Sequence, residues 1–112
     1  MKVKTYQHLN LDYLDLMTDG DADMKKMMLD ILFEELPVEI DMLSKHHAAE
    51  AWDELKAVSH KLKSTLAFVG NDQMTVANNQ IEHNAMYVEN TQDIPTYIGK
   101  LNDWAHKVSA LP

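Results

Sequence analysis

The sequence predicts an all-α fold: an up-down-up-down antiparallel four-helix bundle with a short additional N-terminal helix. Three observations predict it. Apolar residues recur at spacings of three and four, with no stretch of strict alternation. Only three glycines and three prolines interrupt 112 residues, and their positions divide the chain into helix-length segments. The connections between those segments are short, which makes sequential helices antiparallel neighbours. A chain of this length buries most of one core but not two, so residues 1–112 are read as a single domain.

The opening helix is expected over about Leu11 to Met17, followed by the turn Thr18-Asp19-Gly20-Asp21. The second helix is read from Met24, Met28, Ile31, Val38 and Met42, which have helical spacing. Pro37 lies inside that pattern, and an interior proline removes a hydrogen bond, so a bend near Glu35 or a break is expected there. The third helix is expected from about Ala48 through Trp52, Leu55, Val58, Leu62, Leu66 and Val69, with Gly70 as a left-handed cap. Asn71 or Asp72 then caps the fourth, whose stripe is Met74, Ala77, Ile81, Ala85 and Val88. The fifth begins near Asp93 with Pro95 in its first turn and carries Ile94, Tyr97, Leu101, Trp104, Val108 and Leu111. Eight methionines, several on these stripes, are read as core filling.

Composition excludes several classes of function. Ten lysines, no arginine and eighteen acidic residues give a net charge of −8, which opposes binding to nucleic acid or to an anionic membrane. The guanidinium best suited to clamping phosphate is absent, so a protein partner is expected. No segment approaches the roughly 20 apolar residues of a membrane span, and the N-terminus lacks the apolar core of a signal peptide. The lack of cysteine removes disulfides and thiolate ligands, and a cytoplasmic location is the default expectation. A monomer is expected.

The stretch AVSHKLKSTLAFVG, Ala57 to Gly70, carries the candidate chemistry. At about 100° per residue, His60 points about 160° away from the mean direction of Leu55, Val58, Leu62, Leu66 and Val69, so it faces solvent. Asp53 and Lys56 share its face on the preceding turns, and Lys63, Ser64 and Ala67 on the following ones. Imidazole titrates near neutrality, and an exposed ring flanked by cations is expected to stay neutral and nucleophilic. The lysines would steady a phosphoryl group once it is attached. The small residues leave room for a second protein to approach. For a histidine chosen at random, a solvated surface side chain is the commoner explanation.

His60-Lys61-Leu62-Lys63-Ser64, with Gly70 ten residues after the histidine, resembles the His-x-Leu-Lys-Gly...Gly signature of histidine-containing phosphotransfer (HPt) domains. Phe33-Glu34-Glu35-Leu36-Pro37, Trp52 and the pair Ile81-Glu82 are similar to the family's usual sequence, so the resemblance covers nearly the whole chain. It implies a four-helix bundle and a phosphorelay intermediate, in which His60 accepts a phosphoryl group from a receiver-domain aspartate and passes it to another, or the reverse. By the same resemblance Lys63 balances phosphate charge, with Lys56 a weaker candidate, and Ser64, Ala67 and Glu82 belong to the docking face. Ser64 departs from the glycine usual at its position; serine is small, so the change is read as mild. The implied partners are response-regulator receiver domains, with a hybrid sensor histidine kinase as a further candidate. No cofactor or metal is expected on this chain itself, and Mg²⁺ is expected on the receiver. Met1 favours a free-standing shuttle over a fragment of a larger kinase.

The alternative is a non-catalytic helical adaptor that docks by its surface, which leaves the residues around His60 as coincidence. A histidine autokinase is excluded by the lack of a Gly-rich nucleotide segment and of room for an ATP-binding domain. The Glu-x-x-His spacing of a di-iron bundle is absent, and His46 and His47 are expected in an exposed loop.

Overall fold

The computed structural model describes residues 11–109. Five α-helices follow one another: α1 (Asp12–Met17), α2 (Ala22–Ala48), α3 (Trp52–Val69), α4 (Asp72–Tyr87) and α5 (Ile94–Ser109), with a 3₁₀ turn at Thr91–Asp93 before the last. Contacts between α2 and α3, α3 and α4, α4 and α5, and α5 and α2 close a four-membered ring, the antiparallel bundle expected from the sequence. Along its axis lie Leu36, Ile40, Leu43, Leu55, Leu62, Leu66, Met74, Ile81, Ile98 and Leu101, all buried. Burial of each of the larger side chains contributes about 1.5–3 kcal/mol.

Local chemistry sets the helix ends. The Asp21 carboxylate caps α2 by accepting from the Met24 amide at 3.0 Å, and Asn71 caps α4 by accepting from the Met74 amide at 2.9 Å. Gly70 ends α3 at φ 67°, its amide donating to the Leu66 carbonyl. Helix α1 packs across one end of the bundle through Leu14, which joins Leu29 and Leu32 in a second, smaller apolar cluster, and Lys25 binds Asp15 at 2.6 Å.

Several expectations are corrected. The stripe through Met24, Met28, Ile31, Val38 and Met42 is not the buried face of α2: Met28 is half-buried and the other four are exposed. The core face is Leu29, Leu32, Leu36, Ile40 and Leu43, which has equally good helical spacing and the larger share of leucine. Of the bend or break expected at Pro37, the break does not occur: α2 runs unbroken from Ala22 to Ala48 with the proline ring exposed. Consequently Ala48 ends α2 rather than starting α3, and His46 and His47 occupy the last turn of α2, half-buried, instead of an exposed loop. The His47 Nε2 donates to the Thr91 carbonyl at 2.9 Å and the ring meets Trp52 edge-on, so the residue ties two connections together. Val88 is not part of the α4 stripe; it is the exposed C-cap at φ 48°, a strained region for a β-branched residue. Leu111 lies outside the described residues.

Candidate functional site

His60 lies midway along α3, between the buried Leu55 and Leu62, on the face turned away from the core, and its side chain is 74% exposed. Its Nδ1 is 2.9 Å from Glu82 Oε2 of the neighbouring helix α4. A carboxylate only accepts, so Nδ1 donates; in the neutral ring the lone pair then belongs to Nε2. The partner thereby assigns the tautomer of an otherwise exposed imidazole.

Glu82 is buried to within 11% of its side chain, and its second oxygen, Oε1, accepts from Lys63 Nζ at 2.5 Å. Burial pushes the Glu82 carboxyl up, but the hydrogen bonds from Lys63 and His60, and then their charges, outweigh that and hold it below its ordinary 4.5. The group is therefore an anion at neutral pH. The surroundings of His60 are thus not cations alone: one carboxylate bridges ring and lysine, and the lysine expected beside the histidine is already ion-paired. Glu82 itself lies largely beneath the surface, while Ser64 and Ala67 on α3 are exposed. Lys56, one turn before His60, is half-buried, and among the described residues no ion pair of it is found.

Beneath this pair lies a second polar contact that sequence reasoning missed. The Ser59 hydroxyl donates to Asn78 Oδ1 at 2.8 Å, and Asn78 Nδ2 donates to the Ser59 carbonyl at 2.9 Å. Both residues are completely buried. A signal was available: Ser59 falls in the row Leu55, Ser59, Leu62, Leu66 and Asn78 in the row Met74, Asn78, Ile81, Ala85, each a polar residue at a core-facing position.

One exposed imidazole is thus held through its Nδ1 proton on the surface of a helical bundle, with a carboxylate and a lysine beside it. The chain belongs to the Hpt domain family, whose model matches residues 27–111 and so takes in α2 from Met27, α3, α4 and α5. This is the family expected from the His60–Ser64 motif. Membership gives the protein a general role in histidine phosphotransfer within phosphorelays, where Hpt domains interact with receiver domains. No curated protein and no solved structure matches the chain. Among the described residues no helix is long and apolar enough to cross a membrane.

Proposed function

We propose that this protein relays phosphoryl groups between receiver domains through His60 Nε2. The observation that carries the proposal is the contact between His60 Nδ1 and Glu82, because it leaves the lone pair on the other nitrogen of an exposed ring. In the forward step the Nε2 lone pair attacks phosphorus of the receiver's aspartyl phosphate. The N–P bond forms, the P–O bond to the aspartate breaks, and its electrons return to the aspartyl carboxylate. The ring becomes a phosphorylated imidazolium that keeps its Nδ1 proton, and the Glu82 anion accepts from that proton and offsets the new positive charge. The reverse sequence delivers the group to a second receiver.

Lys63 is 44% exposed and has further N–H donors beyond the one directed at Glu82, so it can offset phosphoryl charge from the solvent side. Such transfer is driven mainly by positioning and electrostatic stabilisation. Mg²⁺ belongs to the receiver's half of the site. Ser64 and Ala67 keep the surface beyond the ring low enough for the receiver's aspartate to come into line with Nε2.

The test is incubation with a phosphorylated receiver and Mg²⁺. Label should appear on the protein, be lost in acid and survive base. His60→Gln should fold as the parent does, since the side chain is exposed, and accept no label. Label retained by that variant would refute the assignment, and a parent that stays unlabelled would leave the adaptor reading in its place.

A further inference from the structure

From the Ser59–Asn78 contact we infer a positioning device: this buried pair sets how α4 lies against α3 so that Glu82 reaches His60 Nδ1, and so selects the tautomer in which Nε2 is nucleophilic. The inference rests on the relay reading above for its functional meaning, and on geometry for its substance.

Ser59 immediately precedes His60 in α3, and Asn78 stands one turn before Glu82 on the same side of α4. In a helix the carbonyl of residue i accepts from the amide of residue i+4, so the Ser59 carbonyl opens the turn that closes at Lys63, and the Asn78 carbonyl the turn that closes at Glu82. Both carbonyls are engaged by the pair: Asn78 Nδ2 binds the first at 2.9 Å, and the Ser59 hydroxyl lies 3.1 Å from the second while donating to Oδ1 at 2.8 Å. The two backbones that present His60, Lys63 and Glu82 are therefore joined to each other by side chains that water does not reach.

Shape alone would not achieve this. The core cluster of the bundle is built of apolar side chains, whose contacts are non-directional and tolerate small slides of one helix along another. A hydrogen bond loses its geometry within a few tenths of an ångström, and a buried amide left unpaired costs about 1–3 kcal/mol. A slide of one turn, about 5.4 Å, would separate Glu82 from the ring altogether. Because Glu82 meets the ring at the edge of an exposed surface, where water competes for Nδ1, its reach depends on the rigid contact below.

The experiment uses ¹⁵N-histidine-labelled protein and the double variant Ser59→Ala/Asn78→Leu, which removes both polar partners together and so orphans neither. The parent should show His60 protonated at Nδ1 with a bare Nε2. The folded double variant should show the two nitrogens moving toward an averaged pattern, with transfer from a phosphorylated receiver slowed about tenfold, the scale usual when an orienting partner is lost. A double variant that keeps the parent's nitrogen pattern and rate overturns the inference. Should it not fold, Ser59→Ala alone, which keeps the bond to the Ser59 carbonyl position, is expected to move the same signals by less, and unchanged signals there overturn it equally. A parent that accepts no phosphoryl group would overturn the relay reading, while the nitrogen signals, read without phosphate, still decide the role of the pair.

Discussion

His60 shows how one buried carboxylate changes what an exposed ring can do. With Glu82 ionised, the ring's proton has a defined place and Lys63 a defined partner. This arrangement depends on acid in a predictable direction. Because the Glu82 carboxyl is lower in the folded protein than its ordinary 4.5, its interactions stabilise the fold fully above that value and are lost as pH falls through the lowered one. In urea unfolding between about pH 6 and pH 3, the parent should lose stability toward the acid end. Glu82→Gln, which cannot ionise, should begin less stable and decline less steeply. Parallel acid limbs would show that the carboxylate makes no net electrostatic contribution to folding.

At the scale of the element, α3 and α2 each carry two faces with different duties. On α3 the outer face holds His60, Lys63, Ser64 and Ala67, and Ser64 lies one turn beyond the histidine, about 5–6 Å away at Cβ. Ser64→Leu should leave stability nearly unchanged, since leucine is a good helix former at an exposed position, and severely slow transfer from a receiver. Labelling by phosphoramidate, which needs no protein surface to approach, should be far less affected; equal receiver rates in variant and parent would remove this face from the docking site. On α2 the contrast is between a buried leucine row and an exposed one of Met24, Ile31, Val38 and Met42. Leu36→Ala should cost about 2–5 kcal/mol, because it opens a cavity in the core. Val38→Ala, at a site 60% exposed, should stay within about 0.5 kcal/mol. Comparable losses from the two would mean the α2 faces are assigned the wrong way round.

At the scale of the whole molecule, the described residues form an elongated body of 49 × 22 × 19 Å. Helix α2 has 27 residues against 16 to 18 in each of the other three long helices, and among the described residues its first turns pack against α1 and a few side chains of α3. The cluster there has three buried leucines, whereas the main core draws on all four long helices. Local opening is cheaper where fewer apolar contacts are broken. Amide exchange measured by NMR should therefore be about tenfold or more faster over residues 24–31 than over residues 36–43 of the same helix. Uniform protection along α2 would show that α1 completes the core as firmly as the bundle does.

By itself the sequence determined the helices found among the described residues, their antiparallel order, the Gly70 cap, the start of α4 to within one residue and the position of His60 on a solvent face. These follow from spacing and capping, which act within one or two turns of the chain. Its limits were of one kind. The methionine row and the leucine row of α2 have the same period, and only packing against α3 and α5 decides which is buried. Pro37 weakens the helix locally, yet the helix persists because the leucines on both sides of it are held by their neighbours. The carboxylate on His60 and the Ser59–Asn78 pair join residues 22 and 19 positions apart, a separation over which no periodicity carries information. Tertiary structure alone decides them, because the direction of a hydrogen bond between helices is set by how their axes meet and not by the residues along either one.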